Sequence, residues 1–253
     1  MTEPELDATE PELDAQALAE RRRRRLWLAG ASTLLVAVLV AVAIAVGGSD
    51  NGTGSTTGKP VGTPATLALY RGIPQRGTEL GRPDAPVTLI EFADLQCPFC
   101  GQYARDVLPE VVRRYVRTGR IKITFRNLAF LGEDSARAAQ MAGAASLQNK
   151  LYQFVDLLYH NQGAENTGWV TDAYLRRIAT AVGVDADRAF RDRDSAVAKG
   201  LLEIARRQGK DAKVPSTPWF LVQRAGRPAS ALDYGSISVG SFTGALDRAL
   251  GGK

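Results

Sequence analysis

The sequence predicts an α/β domain that carries a long helical insertion and follows a single membrane-spanning helix. Three observations predict it. An uncharged, mostly apolar run covers Leu26 to Val46. Short apolar runs of strand character recur at residues 86–93, 121–125 and 219–223, and helical signals fill about residues 133–209 between the second and third. The only two cysteines, Cys97 and Cys100, stand between a strand-like run and a helix-like one.

The chain has 253 residues, 45% of them hydrophobic, which suffices for one substantial core plus extra segments. Lys and Arg number 32 against 27 Asp and Glu, a net charge of +5. Residues 1–25 hold seven acidic residues and five arginines, net −2, which leaves +7 on the rest. That balance implies mild attraction to acidic surfaces; nucleic acid is not an expected partner of a chain with a membrane segment.

Residues 2–8 are repeated as residues 9–15. No apolar face develops there, and Pro4 and Pro11 discourage a helix, so residues 1–25 read as a disordered acidic tail ending in the arginine cluster Arg21 to Arg25. The run at 26–46 would span about 31 Å as a helix, the thickness of a bilayer core. The arginines on its N-terminal side predict a cytoplasmic N-terminus and an extracytoplasmic remainder, hence a single-pass protein of the cell membrane. A cleaved signal peptide competes, because Ala43-Ile44-Ala45 resembles a cleavage site, but the run is longer than such segments usually are. Residues 47–66, rich in Gly, Ser and Thr, read as a flexible tether with an end-to-end distance of about 25 Å.

The folded domain is expected over residues 67–253. Val87, Leu89, Ile90 and Phe92 give a buried strand that contains Glu91. From Pro98 to about Thr118 the spacing of Leu108, Val111, Val112, Tyr115 and Val116 is helical, with Pro98 in the first turn, a kink or break expected at Pro109, and Gly119 as the C-terminal cap. A second strand is expected at 121–125. Within the insertion, Thr171 and Asp185 are expected helix caps, Leu175, Ile178 and Val182 an apolar face, and Val197, Leu201 and Ile204 the mark of a last helix. A strand at 219–223 follows, then another within 229–237 and a closing helix capped by Ser241.

The cysteine pair admits three chemistries. Zinc needs about four ligands, and the only histidine, His160, lies some sixty residues away near a helix end, where it reads as a surface residue. A structural disulfide closing so short a loop removes only about 2 kcal/mol of denatured-state entropy, against about 4.7 kcal/mol for a hundred-residue loop. A redox centre explains the placement. The unpaired N–H groups at a helix start stabilise a thiolate at Cys97, the attacking species, while Cys100 lies one turn further in and is expected to be more buried. Glu91, six residues before Cys97, is costly in an apolar strand unless it moves a proton; the alternative is a strand residue facing solvent. Asp94 reads as a turn residue. X-Pro bonds are seldom cis, but thioredoxin-like folds set a cis-proline facing the active cysteines; for that place Thr217-Pro218 is preferred to Pro215, because it directly precedes the apolar strand Trp219-Phe220-Leu221-Val222.

Taken together, Ile90-Glu91-Phe92-Ala93-Asp94-Leu95-Gln96-Cys97-Pro98-Phe99-Cys100, the helical insertion and Ser216-Thr217-Pro218 resemble the DsbA-like thiol-disulfide oxidoreductases, above all their membrane-anchored bacterial branch. The resemblance covers roughly residues 75–250. It implies a thioredoxin-like core, a nucleophilic Cys97 and a resolving Cys100 that form a redox-active disulfide, and a buried acid at Glu91. It further implies a substrate platform at Thr217-Pro218, with Pro98 and Phe99 beside it. The implied activity is that of a protein-disulfide oxidase acting on exported proteins with free cysteines. The implied reoxidising partner is a quinone-linked membrane protein of the DsbB or vitamin K epoxide reductase type, and no cofactor or metal is expected in the chain. A reductase or isomerase on the same fold, or a tethered peptide-binding module, are the alternatives. One departure matters: the best-known member has His where this chain has Phe99, so the Cys97 pKa is expected to lie above the value of about 3.5 quoted for that member.

Overall fold

A computed structural model describes residues 58–251. The acidic tail, the apolar run at 26–46 and most of the expected tether lie outside the described residues. No helix among the described residues is long and apolar enough to cross a membrane.

The centre of the domain is strand β3, Val87–Ala93, whose side chains are largely buried on both faces, which is why its sequence is nearly continuously apolar. β3 pairs in parallel with β4, Ile121–Asn127, and antiparallel with β5, Trp219–Arg224. Outside these lie three two-residue strands: β1, Gln75–Arg76; β2, Glu79–Leu80; and β6, Ser230–Ala231. The sheet order is β1-β2-β4-β3-β5-β6.

A short helix α1, Thr63–Tyr70, precedes the sheet. This corrects the expected tether boundary, since residues 63–66 are helical; Pro64 sits in the first turn, where a missing N–H is harmless. Helix α2 links β3 to β4 and runs without interruption through segments Pro98–Gln102, Tyr103–Val107, Leu108–Val111 and Val112–Val116. The break expected at Pro109 is absent. The turn Tyr103–Val107 widens to π geometry, with the Leu108 N–H on the Tyr103 carbonyl, and this loosened register lets the helix pass a residue that would otherwise crowd its preceding turn. Gly119, at φ +73°, closes the helix as expected.

Between β4 and β5 come five helices: α3, Glu133–Ser146; α4, Leu151–His160; α5, Asp172–Ala181; α6, Ala186–Asp192; and α7, Ala196–Asp211. Thr171 and Asp185 accept the capping bonds expected of them. Leu175, Ile178 and Val182 are buried, whereas Val197 and Ile204 of α7 are exposed. On α7 it is Ala198, Ala205 and Gly209 that face inward, with Ala198 packed closely on Gly143 of α3. The closing helix α8, Val239–Ala249, is capped by Ser238 rather than Ser241, whose own N–H donates to the Ser238 hydroxyl.

Candidate active site

Strand alternation turns Glu91 to the same face of the sheet as Leu89 and Ala93, where it is buried. The chain then leaves β3 and reaches Cys97 through Asp94-Leu95-Gln96, all three buried. Asp94 fixes this turn. Its carboxylate accepts from the N–H groups of Gln96, Phe130 and Leu131 at 2.8–3.0 Å and from the Ser135 hydroxyl, while its carbonyl accepts from the Cys97 N–H at 3.1 Å and the Tyr159 hydroxyl at 3.0 Å. Gln96 donates to the Leu131 carbonyl and accepts from the Asn166 N–H, each at 2.7 Å. Gln162 donates to the carbonyls of Leu95 and Cys97 at 3.1 Å, and its approach needs Gly101, because a Cβ there would stand 2.4 Å from its amide oxygen.

Cys97 is the N-cap of α2, with Pro98 the first helical residue. The Thr217–Pro218 peptide bond is cis, and the Cys97 thiol donates to the Thr217 carbonyl at 3.3 Å. The helix start and the platform, 120 residues apart in sequence, therefore meet. Pro218 is buried, and its carbonyl accepts from the Tyr234 hydroxyl. Pro98 and Phe99 are exposed beside the cysteine, Phe99 by 59%, and Phe130, in the loop that Asp94 holds, by 55%.

The two thiols, both free, are tuned in opposite directions. Cys97 is lowered to about 6, first by the Cys100 thiol and then by Thr217 and the N–H groups of Cys100 and Phe99, against the desolvation that opposes them. Cys100, wholly buried, is pushed well above the ordinary thiol range by desolvation and by Cys97. Burial likewise raises Glu91 to about 8, so its carboxyl holds a proton at neutral pH. Four buried tyrosines respond to the Glu91 charge: Tyr70 of α1, Tyr103 of α2, and Tyr152 and Tyr159 of α4; burial is the larger cause in each. Tyr159 feels the Cys100 charge as well.

The structure thus joins Cys97, Cys100, Thr217, Pro218, Pro98 and Phe99 in one site and buries Glu91. Asp94 is wholly buried and does more than turn the chain. His160, read as a surface residue, is half-buried and pairs with Asp156 at 3.8 Å. Among the described residues, no cluster of three or more His, Cys, Asp or Glu is placed to hold a metal.

A family model described as thioredoxin matches residues 75–229, more than half of the chain. The chain belongs to the thioredoxin family. Its fold is the DsbA-like form of it, with the helical insertion that the sequence led us to expect. The crystal structure of oxidised BdbD from Bacillus subtilis aligns with a TM-score of 0.60 at 21% identity, covering 71% of this chain and 98% of that one. DsbA1 from Wolbachia pipientis aligns at 0.57 and 19% identity, covering 74% and 96%. Among curated proteins, "Probable disulfide bond formation protein D" of Bacillus cereus is 36% identical over 101 residues, 39% of this chain and 47% of that protein. Disulfide bond formation protein D of Bacillus subtilis is 31% identical over 102 residues, 40% and 46% respectively. The chain spans about half the length of these curated relatives.

Proposed function

We infer that this chain is a protein thiol-disulfide oxidoreductase, and that it works as an oxidase donating the Cys97–Cys100 disulfide to exported proteins. The observation that carries the reading is the opposite tuning of the two thiols directly beneath the cis Thr217–Pro218 bond. A substrate thiolate attacks the Cys97 sulfur, the enzyme disulfide breaks, and the electron pair leaves on the Cys100 sulfur. That thiolate is buried and takes a proton, for which Glu91 is the donor. A second substrate thiolate then attacks the substrate sulfur of the mixed disulfide, and Cys97 leaves as a thiolate, which its hydrogen bonds stabilise. Two electrons have passed from substrate to enzyme, and reoxidation passes them on to a quinone-linked membrane protein of the DsbB or vitamin K epoxide reductase type.

Location follows from the sequence: Arg21 to Arg25 before the apolar run 26–46 support a single-pass anchor with the catalytic domain, residues 67–253, outside the cytoplasm. There stable disulfides form. The Bacillus relatives are named for disulfide bond formation, which supports the oxidative direction. A reductase or isomerase is the second reading, favoured by a Cys97 pKa of about 6 rather than the roughly 3.5 of the strong oxidant DsbA. The deciding experiment measures the redox potential of the pair alongside refolding of a reduced substrate. Catalysed disulfide formation, with a potential above the value of about −270 mV quoted for thioredoxin, supports the oxidase; a potential at or below it, with no catalysis, contradicts that direction.

A further inference from the structure

Away from the cysteines, a groove of about 450 Å³ opens between the end of α1, the segment that leads into β1 and the start of α4. Small-molecule sites occupy roughly 300–1,000 Å³. Hydrogen bonds between elements fix its walls. The Arg117 guanidinium donates to the carbonyls of Ala68, Leu69 and Arg71 and so holds the end of α1. Gln75 ties β1 to α4: its Nε2 donates to Gln153 Oε1 at 2.8 Å, and its Oε1 accepts from the Tyr152 N–H at 3.3 Å. Just before α4, Asn149 Oδ1 accepts from the Gly77 N–H at 3.1 Å.

The groove offers positive charge and hydrogen-bond donors. Arg71 and Lys150 line it, and none of the lining residues is acidic. Among the described residues neither cation is paired with a carboxylate, whereas Arg82, Arg113 and Arg176 each hold one. Gln153 is only 8% exposed, and Gln75 takes its oxygen; its amide nitrogen lines the groove and donates to no protein atom. A buried amide with an idle donor is costly unless an acceptor arrives. The same end of α4 carries the positive pole of the helix, which favours an anion. The opposite wall is apolar: Leu67, 38% exposed, and Ile73.

We propose that this groove binds a small amphiphilic anion, a carboxylate or phosphate joined to a short apolar chain. The anionic head takes the charges of Arg71 and Lys150 and accepts from Gln153 Nε2, and the apolar chain lies along Leu67 and Ile73. A free fatty acid and an anionic lipid share this chemistry. The groove has no lining residue in common with the cysteine site, so the proposal stands whether or not the chain exchanges disulfides.

The test is equilibrium dialysis of the full chain, held in nanodiscs of neutral phosphatidylcholine, against labelled hexanoate and labelled dihexanoylphosphatidate; empty nanodiscs correct for uptake into lipid. Saturable binding of either probe is expected, and the tighter of the two separates a free carboxylate from a lipid phosphate as the source. Acetate, which lacks the chain, and 1-hexanol, which lacks the charge, are each expected to bind at least about tenfold more weakly, the cost of losing one charge-assisted hydrogen bond or a comparable contact. Arg71→Gln and Lys150→Gln, which change unpaired side chains at the groove, are each expected to weaken the probe about tenfold with unchanged melting temperature. Gln153→Glu keeps an acceptor for Gln75 and sets a negative oxygen where the donor was; it is expected to abolish binding. If that variant does not fold, the Arg71 and Lys150 variants and the wild-type probe series still decide. Equal binding of 1-hexanol overturns the anionic head, and equal binding of acetate overturns the apolar wall. Wild-type affinity in both Arg71→Gln and Lys150→Gln overturns the assignment to this groove. Absence of saturable binding of both amphiphiles overturns the proposal outright.

Discussion

Cys97 and Cys100 lie three residues apart on one helix and meet opposite surroundings. Cys97, at the helix start, is favoured as a thiolate by the Cys100 thiol, the Thr217 side chain and two backbone N–H groups, and its pKa falls to about 6. Cys100, one turn further in, is enclosed by core and its pKa rises well above the usual range. The contrast teaches that hydrogen bonds and burial tune this pair without a neighbouring cation. It also assigns roles: the sulfur at the helix start, beside the exposed Pro98 and Phe99, can be attacked and can leave as a thiolate, while the sulfur enclosed one turn further in is poor at both until it loses its proton.

The largest way to break the contrast is to remove one sulfur. Cys97→Ser is expected to abolish disulfide exchange. Cys100→Ser is expected to retain attack at Cys97 and lose resolution, so that mixed disulfides with substrate accumulate on non-reducing gels; equal behaviour of the two variants would erase the asymmetry.

The buried acid gives the next effect. The folded chain holds the Glu91 proton until about pH 8, whereas the ordinary value is 4.5. Its contribution favours folding fully below 4.5 and is lost as pH rises through 8. Relative to Glu91→Gln, the wild type is therefore expected to lose about 1.4 kcal/mol of stability per pH unit across that window. Urea titrations of the two proteins at several pH values check this, and parallel curves would remove Glu91 as a buried, proton-holding acid.

Asp94 supports the Cys97 side of the comparison. Asp94→Asn places an amide against N–H donors and forfeits at least two charge-assisted hydrogen bonds, an expected loss of about 3 kcal/mol, read as a lower urea midpoint. A variant as stable as the wild type would show that the turn holds itself. Smallest is Phe99→His, which sharpens the contrast by setting an imidazolium near Cys97. It is expected to lower the Cys97 pKa by about one unit and make the couple more oxidising, with Cys100 unmoved; an unchanged alkylation midpoint would contradict that.

The features legible in the sequence are those governed by local rules. The apolar run of β3, Pro98 in a first turn and Thr217-Pro218 before an apolar strand each carry their own signal. The Asp94 clamp was half legible: the turn could be read, but the loop of Phe130 and Leu131 that it binds comes from 36 and 37 residues away. Gln162 and Asn166 reach the cysteine loop from 65 to 70 residues away, a tertiary effect without a sequence pattern. The two-residue strands β1 and β2 are too short for any periodicity to show. Helix α1 begins in what composition marks as tether. On α7 the apolar spacing identified the helix but not its buried face, because small residues rather than Val197 and Ile204 face α3 there.

The central claim is the split between the two thiols, and site-resolved alkylation of the reduced protein across a pH series tests it most directly. The account predicts that Cys97 alone reacts through the neutral range, with a midpoint of about 6, while Cys100 stays unlabelled well past the ordinary thiol value of 9.0. Equal labelling of both cysteines with midpoints near 9.0 would contradict it.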